Sequence, residues 1–234
     1  MLLDELRTNA ITIAVFLSLP IFAFALYARF TDIPLDFIIA NIKVSILRMI
    51  AAYSLAAGIG WLCAALFYKG RRARIALPIF DVLQSVPTYA ALPLAVSFFG
   101  PSEFTIIFFL VLAIVWPIFF SVVSSLKMIR TDWEEAVSIA KLSREQYIQK
   151  FLWPASVPGL ITGSIIGLGD GWEALIATEI ILESKQGLGP FFQAYANDPV
   201  ATTFGILAFL VLIFSINRLV WLPLLEWSHK MHEE

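Results

Sequence analysis

Apolar residues in this chain come in long runs with no period-two alternation. The runs cover about Ala10–Phe30, Val44–Tyr68, Ile75–Phe99, Phe104–Leu126, Pro158–Leu182 and Thr202–Trp227. Each is roughly 20 residues or longer, the length an α-helix needs to cross a hydrocarbon layer about 30 Å thick. Strands are disfavoured because backbone groups in lipid must be satisfied within their own helix. The pattern predicts an all-α membrane protein with six transmembrane helices. No repeat or dividing linker breaks it, so residues 1–234 read as one transmembrane domain. The first run is expected to be a retained span, since Asp4 and Glu5 stand where a cleaved leader carries basic residues.

Composition reinforces this pattern. Hydrophobic residues make up 59% of the 234 positions and charged residues only 15%, well below the quarter usual in soluble domains. A net charge of −2 offers no footprint for nucleic acid. Cys63 has no partner for a disulfide within the chain and reads as a small buried hydrophobe. His229 and His232 lack the further ligands a metal site requires, so no metal is expected. No constellation of catalytic residues stands out.

The basic residues set the orientation. Lys69, Arg71, Arg72 and Arg74 follow the second run, and Lys127, Arg130, Lys141, Arg144 and Lys150 follow the fourth. The other connections hold Arg29 and Lys43, then none, then Lys185. Positive loops mark the cytoplasmic side, so both termini are expected there, with the chain in the plasma (inner) membrane.

The connection 127–157 is unusually polar and carries two capping boxes, Thr131-Asp132-Trp133-Glu134 and Ser143-Arg144-Glu145-Gln146. They predict short helices over about 132–140 and 144–152, turning at Lys141-Leu142. Trp133, Ala136, Val137 and Ala140 form one small apolar face, and Tyr147, Ile148, Phe151 and Leu152 another. Pro154 is expected to end the second helix, and Pro158 to open the fifth span. A solvated linker is the plain reading. Two caps and two matched faces favour docking onto a partner, since helices this short are marginal alone in water.

In this segment Glu135-Ala136-Val137 is followed after three residues by Lys141, after nine more by Phe151, and after one more by Trp153-Pro154. The spacing resembles the EAA loop of ABC importer permeases. Asp81–Pro87, Pro154–Gly163 and Gly171–Ile180 look like the nitrate/sulfonate/taurine branch of that family. The resemblance covers about residues 40 to 225. It implies a type I ABC importer permease fold, with cytoplasmic coupling helices between spans four and five. It implies that Glu134, Glu135, Ala136, Val137, Ala140, Lys141, Leu142, Ser143, Phe151 and Pro154 couple the chain to an ABC ATPase subunit. It further implies a second permease subunit, identical or different, and an extracytoplasmic solute-binding protein. ATP and Mg would be bound by the ATPase and no cofactor by this chain, which has no G-x-x-x-x-G-K-[ST] motif. The family's loop glycine is Lys141 here, where a left-handed residue costs on the order of 1 kcal/mol.

Three further features bear on the path. Gly159, Gly163, Gly167 and Gly171 recur every fourth residue and predict a close helix packing face. Asp170 lies about 12 residues into its span, roughly 18 Å and near the midplane, and Glu173 shares its face. A water-filled path or an ion pair with Arg48 or Arg218 would each explain them. Glu179 and Glu183 read as residues of the outer boundary. In the third span Pro78, Pro87 and Pro93 alternate with Asp81, Gln84, Ser85 and Thr88. The span is expected to be interrupted, with these four polar residues and Tyr89 near the path; a kinked packing helix is the alternative. Trp116 and Pro117 would add an aromatic wall and a kink. Gly187-Leu188-Gly189-Pro190 signals a turn, after which residues 191–195 are expected along the outer surface.

The expected function is the membrane-spanning subunit of an ATP-driven importer for a small solute, nitrate-, sulfonate-, taurine- or bicarbonate-like or a small organic compound. A stand-alone ion-coupled carrier using Asp170 and Glu173 is the alternative, and it leaves the capped loop unexplained. An intramembrane acid-pair hydrolase on Asp81 and Asp170 lacks any supporting motif.

Overall fold

The computed structural model describes residues 2–129, 133, 135, 137 and 139–225, the side chains of the first ten residues excepted. Every element among them is helical: α1 (Leu2–Thr31), α2 (Leu35–Phe67), α3 (Gly70–Gln84), α4 (Thr88–Phe99), α5 (Glu103–Lys127), α6 (Arg144–Ile181), α7 (Leu188–Ala194) and α8 (Pro199–Leu225). Five of these, α1, α2, α5, α6 and α8, are long and apolar enough to cross a membrane. The bent pair α3–α4 makes six if it counts as one span.

The third run is interrupted, as expected, and departs from the alternative of a kinked packing helix. It divides into two helices that meet at 87°. Pro87 is extended at the break (φ −62°, ψ 101°), and a residue before proline avoids helical geometry. The Ser85 hydroxyl donates to the Asp81 carbonyl at 2.9 Å, supplying a partner where the helix ends. Pro78 and Pro93 lie inside α3 and α4 without ending them.

The fifth run departs from expectation. Pro154 does not end a helix; α6 runs through it from Arg144 to Ile181. A π turn spans Ile148–Leu152 just before it, with the Trp153 amide donating to the Ile148 carbonyl. The wider turn gives a proline ring room against the preceding carbonyls.

The chain forms two compact units. The first, Arg48–Leu175, is built around α5, whose Phe109, Leu110, Ile114, Ile118 and Val122 are buried. The glycine ladder of α6 faces this helix. A Cβ on Gly159 would lie 2.5 Å from the Ser121 carbonyl oxygen, and one on Gly163 would lie 2.6 Å from the Ile118 Cα. At Gly167 and Gly171 the obstructing residue is Ile114. Another face of α6 meets α2 through hydrogen bonds in antiparallel order. Tyr53 pairs with Ser164 at 2.9 Å, the Trp61 indole donates to Ser156 at 2.7 Å, and Tyr68, just past the end of α2, pairs with Tyr147 at 2.8 Å. Small hydroxyl residues suit such contacts because they let helices approach closely.

The second unit comprises the residues up to Leu47 and those from Ile176 on. Phe24, Tyr27, Ile33, Ile38, Phe191 and Ala208 form its core. Glu179 is fully buried here, contrary to its expected place at the boundary. One carboxylate oxygen accepts from the Ser45 hydroxyl and the other from the Gly189 amide, both at 2.8 Å. Ser45 in turn accepts from the Leu188 amide, and Asn41 accepts from the Gly187 amide. These contacts satisfy the first amides of α7 and fix it against α2. Gly187 has φ +130°, and a Cβ there would lie 2.5 Å from the Glu179 carboxyl group. The turn thus needs glycine for its backbone angle and for space.

Two outcomes follow for thermal denaturation of the detergent-solubilised protein. Gly159→Ala and Gly163→Ala should each destabilise it by about 1–3 kcal/mol through overpacking against backbone. Gly169→Ala, which would meet nothing within 4 Å, should not. Glu179→Ala should destabilise by about 1–3 kcal/mol per buried donor left without an acceptor, and Glu179→Gln by less.

Candidate functional site

The α3–α4 break opens onto a cavity of about 500 Å³ within the Arg48–Leu175 unit. Gln84, Thr88 and Tyr89 come from the break itself, and Asp170 and Glu173 from α6. The α5 wall is a helical stripe in which Ala113, Trp116, Pro117 and Phe120 recur at i, i+3, i+4 and i+7, beside Ser121. Four of the six residues singled out for the path, Gln84, Thr88, Asp170 and Glu173, therefore line one cavity. Asp81 and Ser85 do not line it. Asp81 instead accepts from the Gln84 amide at 2.8 Å. Phe120 and Ser121 escaped the sequence reading, although the stripe through Trp116 carries the signal for Phe120.

The two carboxylates stand without a cation. Among the described residues, no ion pair or hydrogen bond from another side chain reaches Asp170 or Glu173. Arg48, the first cation considered, forks onto Glu103 in the first turn of α5 and holds both its oxygens. The Arg48 side chain is 7% exposed and that of Glu103 66%, so this pair joins α2 to α5 with its acid at the open edge. Arg218, the second, places its guanidinium 6.0 Å from the Phe16 ring centre in the other unit. Cavity-facing acids without a structural counter-ion remain available to a solute or to water.

The polar connection keeps much of its expected form. Ser143 accepts from the Gln146 amide at 3.2 Å, and the Gln146 side chain accepts from the Ser143 amide at 3.0 Å, completing the second capping box. Lys141 takes φ +48°, the left-handed geometry that the turn demands and that glycine adopts without strain. Trp133, Glu135, Val137 and Ile139 are helical, and Glu135, Ala140, Lys141 and Ser143 are exposed. Leu142 and Pro154 are half-buried. Glu134 and Ala136, with the first capping box, lie outside the described residues, as do His229 and His232.

Phe151 does not face outward as a docking residue would. It is 8% exposed and its ring packs 5.3 Å from that of Tyr147. Leu152 is buried with it, because continuing the helix through Pro154 turns this face into the chain. Tyr147 also meets Lys69, 3.5 Å from its hydroxyl, which joins the start of α6 to the basic connection after α2.

Comparison with known proteins matches residues 56–222 to the model of the family described as "Binding-protein-dependent transport system inner membrane component". The nitrate import permease protein NrtB of Synechocystis sp. is 31% identical over 163 residues, 69% of this chain and 59% of that protein. The bicarbonate transport system permease protein CmpB of Synechococcus elongatus is 30% identical over 67% of this chain and 57% of its own length. The taurine transport system permease protein TauC of Escherichia coli is 32% identical over 60% and 52% respectively. The matched regions span little more than half the length of these relatives. With a family match that takes in the cavity, the glycine ladder and the polar connection, this chain belongs to the inner membrane components of binding-protein-dependent transport systems.

Proposed function

We propose that the chain is the membrane-spanning permease subunit of an ATP-driven importer for a small solute. The observation that carries this reading is the cavity at the α3–α4 break, where polar groups from a broken helix meet unpaired acids from α6. Broken helices with polar linings surround transported solutes in membrane carriers generally. The cavity is taken as part of the translocation path, with Gln84, Thr88, Asp170 and Glu173 on its wall. The α3–α4 pair counts as one span, giving six spans in a single working domain with both termini in the cytoplasm. The residues from Glu134 to Ser143 form the coupling surface for an ABC ATPase subunit, which binds ATP and Mg²⁺. Trp133, on the expected apolar face, is 50% accessible, which supports an unfilled docking face there. A second permease subunit and an extracytoplasmic solute-binding protein complete the assembly. The relatives' names give nitrate, bicarbonate and taurine, which supports a small solute here.

Closure of the ATPases on ATP moves the coupling surface, and α6 carries that movement from Arg144, just after the Lys141 turn, to Asp170. Its unbroken course through Pro154 supports a rigid link between the two. An ion-coupled carrier has no counterpart among the named relatives.

Glu135→Arg should abolish co-purification of the ATPase subunit while the chain still inserts; undiminished co-purification overturns the coupling role. Asp170→Ala should lower uptake, by the reconstituted importer, of the ligand carried by its binding protein. Loss of one charged contact worth about 1.5–3 kcal/mol corresponds to roughly tenfold or more. Uptake at the unaltered rate removes Asp170 from the path.

A further inference from the structure

We infer that the cavity selects a small organic cation, an ammonium group on an apolar body, and not an inorganic anion of the kind named for the nitrate and bicarbonate relatives. This rests on reading the cavity as part of the permease path. Among the described residues its lining includes two carboxylates, Asp170 and Glu173, and no Lys, Arg or His. The remaining polar groups are neutral, and Gln84 commits one amide N–H to Asp81. Tyr89, Trp116 and Phe120 bring aromatic side chains to the same space.

These features act on a solute in the same direction. Two carboxylates facing one cavity repel an anion and attract a cation. Aromatic faces attract a cation through the ring quadrupole and cover an apolar body. Arg48, the cation that could have neutralised the acids from α2, is held by Glu103. A volume of about 500 Å³ is generous for nitrate and suits an organic molecule of one ring.

The test uses the full chain, purified with its co-purifying subunits into phosphatidylcholine nanodiscs, with empty discs subtracted. Equilibrium dialysis compares three probes of one shape: radiolabelled benzylammonium, benzyl alcohol and benzoate. Benzylammonium should bind at least about tenfold more tightly than either of the others. Asp170→Asn with Glu173→Gln should reduce that preference to about twofold or less. Trp116→Leu should weaken benzylammonium and benzyl alcohol together. Where the double variant does not assemble, Glu173→Gln alone is read against the unaltered protein, and the preference should fall. Benzoate binding as well as benzylammonium overturns the inference. So does a preference that survives removal of the acids, or no binding of any probe below about 10 mM. The same preparation separates this inference from the permease reading. A stoichiometric ATPase subunit beside a benzoate preference sinks only the cation assignment. A chain that purifies alone yet prefers benzylammonium sinks the importer and leaves the cavity chemistry standing.

Discussion

The close approach of α6 to α5 is the constraint on which the Arg48–Leu175 unit depends. Four glycines at every fourth position remove the side chains that would hold the helices apart, and Ile114, Ile118 and Val122 fill the seam from the other side. In lipid no water is displaced when two helices associate, so contact distance and hydrogen bonding must supply the attraction. Once the glycine face is committed to α5, the other faces of the same helix are committed too. Ser156 and Ser164 meet α2 through Trp61 and Tyr53, while Asp170 and Glu173 reach the cavity. One helix thus orders two neighbours and aims the acids.

Charge is handled in three ways along this chain. Arg48 and Glu103 neutralise each other across α2 and α5. Glu179 is buried, but its oxygens accept from a hydroxyl and from the first turn of α7, so the carboxylate takes the place of a cap. Among the described residues Asp170 and Glu173 receive neither treatment, and they line the cavity. An ionisable group in a membrane helix is expensive unless it has a use. The contrast between acids with partners and acids without them is therefore a stronger pointer to the path than the acids themselves.

The polar connection shows how far local rules carry. A capping box is a contact between residues three apart, and Ser143–Gln146 forms as its spacing requires. The turn at Lys141 takes the left-handed geometry although glycine is missing, because the helices on each side set the angle. Pro154 shows where local rules stop. Proline ends helices that have no better option, but here a π turn and the packing of Phe151 and Leu152 carry the helix through.

Periodicity and run length alone determined that the runs are helical, the shared face of the glycines and the second capping box, because each depends on residues within one or two turns. They also brought Gln84, Thr88, Asp170 and Glu173 forward, since polar residues in an apolar run stand out wherever they end up. Only the tertiary structure decided which of them meet. The pairing of Arg48 with Glu103 and the burial of Glu179 under Gly187 and Gly189 depend on contacts between distant segments. Asn41 and Gly187 are 146 residues apart in the chain and 2.9 Å apart in the fold. No pattern of hydrophobic and polar positions encodes such a pair, because the pattern records which side of a helix is apolar and not which neighbour covers it.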